Sequence, residues 1–146
     1  MTSGFSIREA TTDDHACIMA SWLNTMRQTD TFRQLSNTVY FKHQKDLIIK
    51  LLTKYGALIV CVESQPDEIA GWFCGYRDKH TKKLIVHFIY VKSLYHKLGL
   101  AKALLHSTGH TKGQELIATA IVEPYNRLVL RGHNVTNNPF LAWEHI

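Results

Sequence analysis

The stretch LIVHFIYV, Leu84 to Val91, constrains the fold more than any other part of the chain. Successive side chains of a strand point to opposite sides, so this one carries apolar groups on both faces. Such a strand has to be covered above and below, which places it inside a sheet with helices packed on it. After it, Gly99 opens a segment in which Leu100, Ala101, Leu104 and Leu105 recur at helical spacing, predicting a helix from about Lys97 to Ser107. Gly109 and Gly113 mark a loop, and LIATAIVE, Leu116–Glu123, supplies another apolar strand. A strand–helix–strand crossover makes the two strands parallel. The fold class is therefore α/β.

The earlier chain fits that frame. FSIREA reads as a first strand, and Thr12, Asp13 and Asp14 as a helix start with a hydroxyl cap and acids at the positive helix end. The helix runs to about Met26 with Ala16, Met19, Ala20, Leu23 and Met26 as its expected buried stripe. Residues 27–40 are polar and aperiodic and read as a loop or broken turn. Phe41 to Tyr55 is an amphipathic helix stopped by Gly56, with Leu47, Ile48, Leu51, Leu52 and Tyr55 inward. ALIVCVE and IAGWFCGY form an antiparallel hairpin, and Gly71 and Gly75 point to a bulge or a close backbone approach. Beyond Glu123 the sequence predicts at most one short helix, an Asn-Asn-Pro turn and a last apolar strand.

The 146 residues fit a single domain, 1–146, with 45% apolar and 20% charged residues. No apolar run spans a bilayer and no signal peptide opens the chain, so no membrane partner is expected. Three cysteines, Cys17, Cys61 and Cys74, sit in apolar contexts and suggest reduced thiols in a cytoplasmic setting. The net charge of +5 suits an anionic cofactor, an acidic partner or nucleic acid, and selects none of them. Trp72, Phe73, Tyr76 and Tyr90 could stack bases, but alternation along strands favours core or groove lining. His106 and His110 have a helical metal-ligand spacing, yet Gly109 intervenes and no acidic third ligand is near, so no metal is expected.

The junction YVKSLYHKLGLAKALL carries the chemistry. A helix N-terminus offers unpaired N–H groups and partial positive charge, and a phosphate can reach them if no side chain intervenes. Gly99 removes a Cβ there, Ala101 stays small, and Lys92, His96, Lys97 and Lys102 ring the spot. A solvated turn with a lone glycine fits the same residues. The element order and the pattern from Val91 through His96, Gly99 and Ala101 to Leu105 resemble the GNAT superfamily of N-acetyltransferases. IREATTDDHACIMASW and IAGWFCGY are similar to that family's opening strand and helix and its third strand.

The resemblance implies a mixed, mostly antiparallel α/β (α+β) sheet flanked by helices, with a parallel strand pair around the cofactor. It implies acetyl-CoA as cosubstrate, its pyrophosphate on the main chain of His96, Lys97, Leu98, Gly99, Leu100, Ala101 and Lys102, and its pantetheine arm along Ile89, Tyr90 and Val91. Residues 27–40 and 134–140 would border the acceptor groove. His96 stands where the family has Arg or Gln, and Ile85 where many members carry a glutamate base.

Direct transfer to an amine needs a base for the amine proton and an acid for the leaving thiolate. His87 lies two residues from Ile85 and has a suitable intrinsic pKa; a hydrogen-bonded core histidine is the competing reading. Tyr125 follows the next strand, where the resemblance implies a tyrosine near the CoA sulfur whose phenol could protonate the thiolate; a plain helix-start aromatic is the competing reading, and Glu123 is a weaker base. The expected protein is thus an N-acetyltransferase acting on a primary amine of a small molecule, peptide or protein. A homodimer is compatible with the sequence. The alternatives are a GNAT-like acyl-CoA-binding or protein-interaction module without catalysis, and a basic nucleic-acid-binding α/β protein.

Overall fold

The computed structural model describes residues 3–111, 113–120 and 132–143. The elements are β1 (Phe5–Glu9), α1 (His15–Arg27), α2 (Asp30–Arg33), α3 (Asn37–Tyr55), β2 (Leu58–Val62), β3 (Gln65–Arg77), β4 (Leu84–Val91), α4 (Leu100–Ser107), β5 (Glu115–Ala118) and β6 (Asn134–Asn137). Among the described residues the strands form one sheet in chain order. β1 to β4 are antiparallel, and β4–β5 and β5–β6 are parallel. The mixed sheet agrees with expectation, with a second parallel pairing, β5–β6, in addition.

β4 is buried along almost its whole length, as a strand apolar on both faces requires. One face carries α1 and α3, whose Ile18, Trp22, Ile48 and Leu51 pack with Trp72, Cys74 and Phe88. The other carries α4, whose Leu100, Leu104 and Leu105 meet Val86, Ile89, Val91 and Leu116. Each fully buried leucine contributes about 2 kcal/mol. The stripe of α1 is rotated from the expected one: Ala16 and Ala20 are exposed, while Ile18 and Trp22 are buried. The indole of Trp22 buries far more area than an alanine, and its contacts with Trp72 and Phe88 set the rotation.

Helix starts differ from expectation where side chains cap backbone. A 3-10 turn at Thr12–Asp14 precedes α1, and Asp14 accepts the Thr11 N–H at 2.7 Å. Asp14 is also 6% exposed and paired in two places with Arg8, at 2.7 and 2.9 Å. The hydrogen bonds from Arg8 hold its carboxyl down at about 2. α3 begins four residues early because Ser36 Oγ accepts the Val39 N–H at 3.2 Å. α4 begins at Leu100 rather than Lys97, because Lys97 (φ 67°) and Gly99 (φ 75°) are both left-handed.

β5 ends at Ala118, the part of the predicted strand from 121 to 123 and the predicted short helix lie outside the described residues, and the expected last strand is replaced. β6 precedes the Asn-Asn-Pro turn, and Pro139 opens a 3-10 turn to Ala142. Proline has no N–H for a ladder and a fixed φ suited to a turn start, so the apolar residues after it serve a turn.

Candidate active site

Three local features converge at the end of β4. The first is the junction before α4. Gly99 caps the helix without a side-chain acceptor, and the first bond of the helical ladder runs from Ala103 N–H to the Gly99 carbonyl at 3.0 Å. The N–H groups of Leu100, Ala101 and Lys102 therefore have no intrahelical partner. Lys97, Gly99 and Lys102 are exposed around them. His96 turns inward instead, its Nε2 lying 2.7 Å from the Val91 carbonyl oxygen. It ties the turn to the end of β4 and leaves the cationic rim to the lysines.

The second feature is a parting of strands. β4 and β5 pair at Leu84–Leu116, Ile85–Ile117 and Val86–Ala118. One further bond, Thr119 N–H to the Val86 carbonyl at 3.0 Å, closes the ladder. Beyond it Ile89, Tyr90 and Val91 pair with β3 on one side only among the described strands. Their side chains are buried at Ile89 and Val91 and half-buried at Tyr90, so any ligand along this edge would meet main chain.

The third feature is a bulge at the point of parting. Phe88 pairs with Cys74 and Val86 with Gly75, leaving His87 as an extra residue in β4. The bulge shifts the alternation, so Val86 and Ile89 both face α4 while Phe88 packs beneath α1 and His87 lies against Tyr55 of α3. His87 is 1% exposed. Its Nδ1 lies 3.1 Å from Thr119 Oγ1, and its Nε2 has no hydrogen-bond partner among the described residues. The Thr119 hydroxyl also reaches the His87 carbonyl at 3.5 Å. If it donates there, Nδ1 carries the proton and Nε2 presents its lone pair.

Burial pushes the His87 imidazole down to about 4, from an ordinary 6.5. Between those values the unfolded chain binds a proton that the folded chain does not. Stability therefore rises with pH across this window and is lost as pH falls through it. The expected loss from pH 6.5 to 4 is about 3 kcal/mol, and His87→Gln, which cannot protonate, is expected to remove it. Urea unfolding of both proteins at pH 4.5 and 7.5 checks this; parallel losses in the two would place the acid sensitivity elsewhere.

His87 and Thr119 line a cavity of about 430 Å³ whose other described walls come from α1, the α2 segment at Thr29 and Phe32, α3, and Asn137, Pro139, Ala142 and Trp143. Sequence reasoning missed Thr119 and Gln44, which also lines it. It missed Arg27 as well, which organises the segment 27–40. The Arg27 guanidinium donates to the carbonyls of Phe32 (2.6 Å) and Leu35 (2.8 Å) and to Asn37 Oδ1 (2.8 Å), and lies over the Tyr40 ring at 4.8 Å. An aperiodic stretch hides such a hub, because carbonyl acceptors carry no residue signature.

Tyr125 and Glu123 lie outside the described residues. Trp72 and Phe73 are buried and unavailable for base stacking. Cys61 and Cys74 are buried, and burial pushes the Cys74 thiol up, away from a thiolate. His110 is buried against His133, at 5.5 Å between rings. Among the described residues no group of three or more His, Cys, Asp or Glu could hold a metal, and no helix is long and apolar enough to cross a membrane.

The family model for the acetyltransferase (GNAT) family matches residues 20–131. The chain belongs to the GNAT acetyltransferase family. Two solved structures share the fold. A proposed acetyl transferase from Pyrococcus furiosus is 18% identical, with TM-score 0.57, over 95% of this chain and 88% of that one. A proposed acetyltransferase from Clostridium difficile 630 is 19% identical, with TM-score 0.52, over 84% and 83%. YjaB from Escherichia coli, in its apo form, is 18% identical, with TM-score 0.49, over 74% of this chain. The chain spans 65% of the length of YjaB, just under two thirds. No curated protein matches the sequence. Within this GNAT chain Ile85 is buried and carries no titratable group, while the bulge two residues on presents His87.

Proposed function

We propose that this GNAT protein transfers an acetyl group from acetyl-CoA to a primary amine by direct attack in a ternary complex. The observation that carries the reading is His87 at the point where β4 and β5 part, its Nδ1 3.1 Å from Thr119 Oγ1 and its Nε2 without a hydrogen-bond partner among the described residues. Bound acetyl-CoA supplies the acetyl thioester. The N–H groups of Leu100, Ala101 and Lys102, with Lys97 and Lys102, suit its pyrophosphate. The edge at Ile89, Tyr90 and Val91, which pairs with β3 on one side only among the described strands, suits the pantetheine amides.

The amine nitrogen forms its bond to the acetyl carbon as the C–S bond breaks and its electron pair leaves on sulfur. The proton released by nitrogen goes to His87 Nε2. A low pKa keeps that nitrogen unprotonated at neutral pH, and Thr119 fixes the ring so that one nitrogen stays available. Tyr125, on the family resemblance, is the candidate acid for the thiolate. Main-chain N–H groups at the parting are the candidate oxyanion donors.

The test is release of CoA thiol with an amine panel, run beside thermal shift with acetyl-CoA. His87→Ala is expected to lower kcat about 100-fold or more, in keeping with general base catalysis, while leaving acetyl-CoA affinity within about twofold. Wild-type turnover in the folded variant would return His87 to a packing role. Ile85 at the glutamate position favours a second reading, an acyl-CoA binder without turnover. Stabilisation by acetyl-CoA with no amine-dependent thiol release would select it.

A further inference from the structure

Two tyrosines cover the imidazole of His87 from α3 and β3. Tyr55, the last residue of α3, and Tyr76 of β3 stack with centroids 4.6 Å apart and planes 8° from parallel. Both rings meet His87, Tyr55 at 5.1 Å and Tyr76 at 5.6 Å, with similar tilts of 36° and 35°. Register brings them there, since Tyr76 faces Ile85 across the β3–β4 ladder just before the bulge at His87. The same two tyrosines line a second cavity of about 390 Å³, at the end of the sheet where β2 and β4 begin. The pair therefore touches His87 and the second cavity at once, while His87 lines the first.

A buried imidazole stays neutral only while water is kept from it. His87 is 1% exposed, and burial is what pushes it down to about 4. The tyrosine faces would attract an imidazolium by about 1 kcal/mol. Its lost hydration costs several times as much, so the exclusion of water decides which form is present. The charged and titratable groups around the stack come from four elements. Lys54 Nζ of α3 lies 5.6 Å from the Tyr55 centroid. Glu9 of β1 and Arg77 of β3 line the second cavity, and His43 of α3 lines the first. Arg77 donates to the carbonyls of Lys82 at 2.7 Å and Thr108, after α4, at 3.0 Å.

We propose that Tyr55 and Tyr76 are positioning residues for His87: their stacked rings fix the plane of the imidazole and seal it from the second cavity, so that Nε2 exchanges protons only in the first, where the acceptor amine enters. This role rests on the acetyltransferase reading above. The hydroxyls take no part in it, because the seal is made by the ring faces.

The test follows the Cε1–H of the His87 imidazole by proton NMR between about pH 4 and 8, the signal being assigned by its loss in His87→Gln. Tyr55→Ala and Tyr76→Ala each open the seal, and the titration midpoint is expected to rise from near 4 to about 6, close to an ordinary histidine. Tyr55→Phe and Tyr76→Phe keep the stack and are expected to keep the parent midpoint. Between pH 7.5 and 5.5, turnover by Tyr76→Ala is expected to fall about fourfold further than turnover by the parent, since about a quarter of a base titrating near 6 is neutral at the lower pH. If Tyr76→Ala does not fold, Tyr76→Leu is measured in its place and read in the same way. An unchanged midpoint in the variants that lose a ring would overturn the seal. A rise in the phenylalanine variants as well would assign the effect to the hydroxyls and overturn it too. A raised midpoint with a parent-like pH profile of turnover would separate the tyrosines from the reaction and leave the transferase reading standing. A raised midpoint in a protein whose parent releases no CoA thiol with any amine would overturn the transferase reading, and the role in proton transfer with it.

Discussion

Gly75→Ala is expected to destabilise the protein by about 3 kcal/mol or more, a large part of the stability of an ordinary domain. A Cβ at Gly75 would lie 2.2 Å from the Ile85 carbonyl oxygen and 2.8 Å from the Phe73 ring. The first of these is backbone, so it cannot swing aside as a side-chain tip would. Relief requires β3 and β4 to separate where Gly75 faces Val86, next to the bulge that carries His87. Gly75→Val is expected to prevent folding, since branching at Cβ adds further atoms to the same overlap. Urea unfolding of purified Gly75→Ala measures the effect. A midpoint equal to that of the parent protein would mean that the two strands are not held this closely.

Gly99→Glu is expected to weaken acetyl-CoA binding about 100-fold or more. The cause is not a clash, because a Cβ built at Gly99 meets nothing within 4 Å. It is the combination of a left-handed backbone at φ 75°, which a glutamate strains, and a carboxylate placed among donors suited to phosphate. Gly99→Asn is the control that separates the two. Asparagine tolerates this backbone and carries no charge, so its affinity is expected within about fivefold of the parent. Titration calorimetry with acetyl-CoA reads both. Parent-like binding by Gly99→Glu would move the pyrophosphate away from this turn.

These two glycines were legible to different degrees. Gly99 stands out in the sequence because its neighbours are basic and a helical stripe starts directly after it. Gly75 gave only a general sign of close approach. The direction of the effect on β4, an added residue at His87, depends on which residues face each other across two strands. Pairing register is a property of the assembled sheet and has no local marker at His87. The sequence did place His87 on a buried strand beside Ile85, and it read the competing possibility of a hydrogen-bonded core histidine. The structure unites part of both readings: Nδ1 is at hydrogen-bond distance from Thr119 Oγ1, while Nε2 lacks a described partner.

Hydrophobic periodicity determined the class of fold, the central position of β4, the crossover helix and the parallel step to β5. Those features follow from which side chains must leave water, and that is written residue by residue. Tertiary packing alone decided the rest. It rotated α1 onto Trp22, placed β6 before the Asn-Asn-Pro turn, and drew Arg27 onto three acceptors contributed by Phe32, Leu35 and Asn37. It also brought Gln44 of α3, His87 of β4 and Thr119 after β5 to the wall of one cavity. These contacts join residues far apart in the chain, and their energies depend on distance and burial that exist only once the sheet and its helices have closed together.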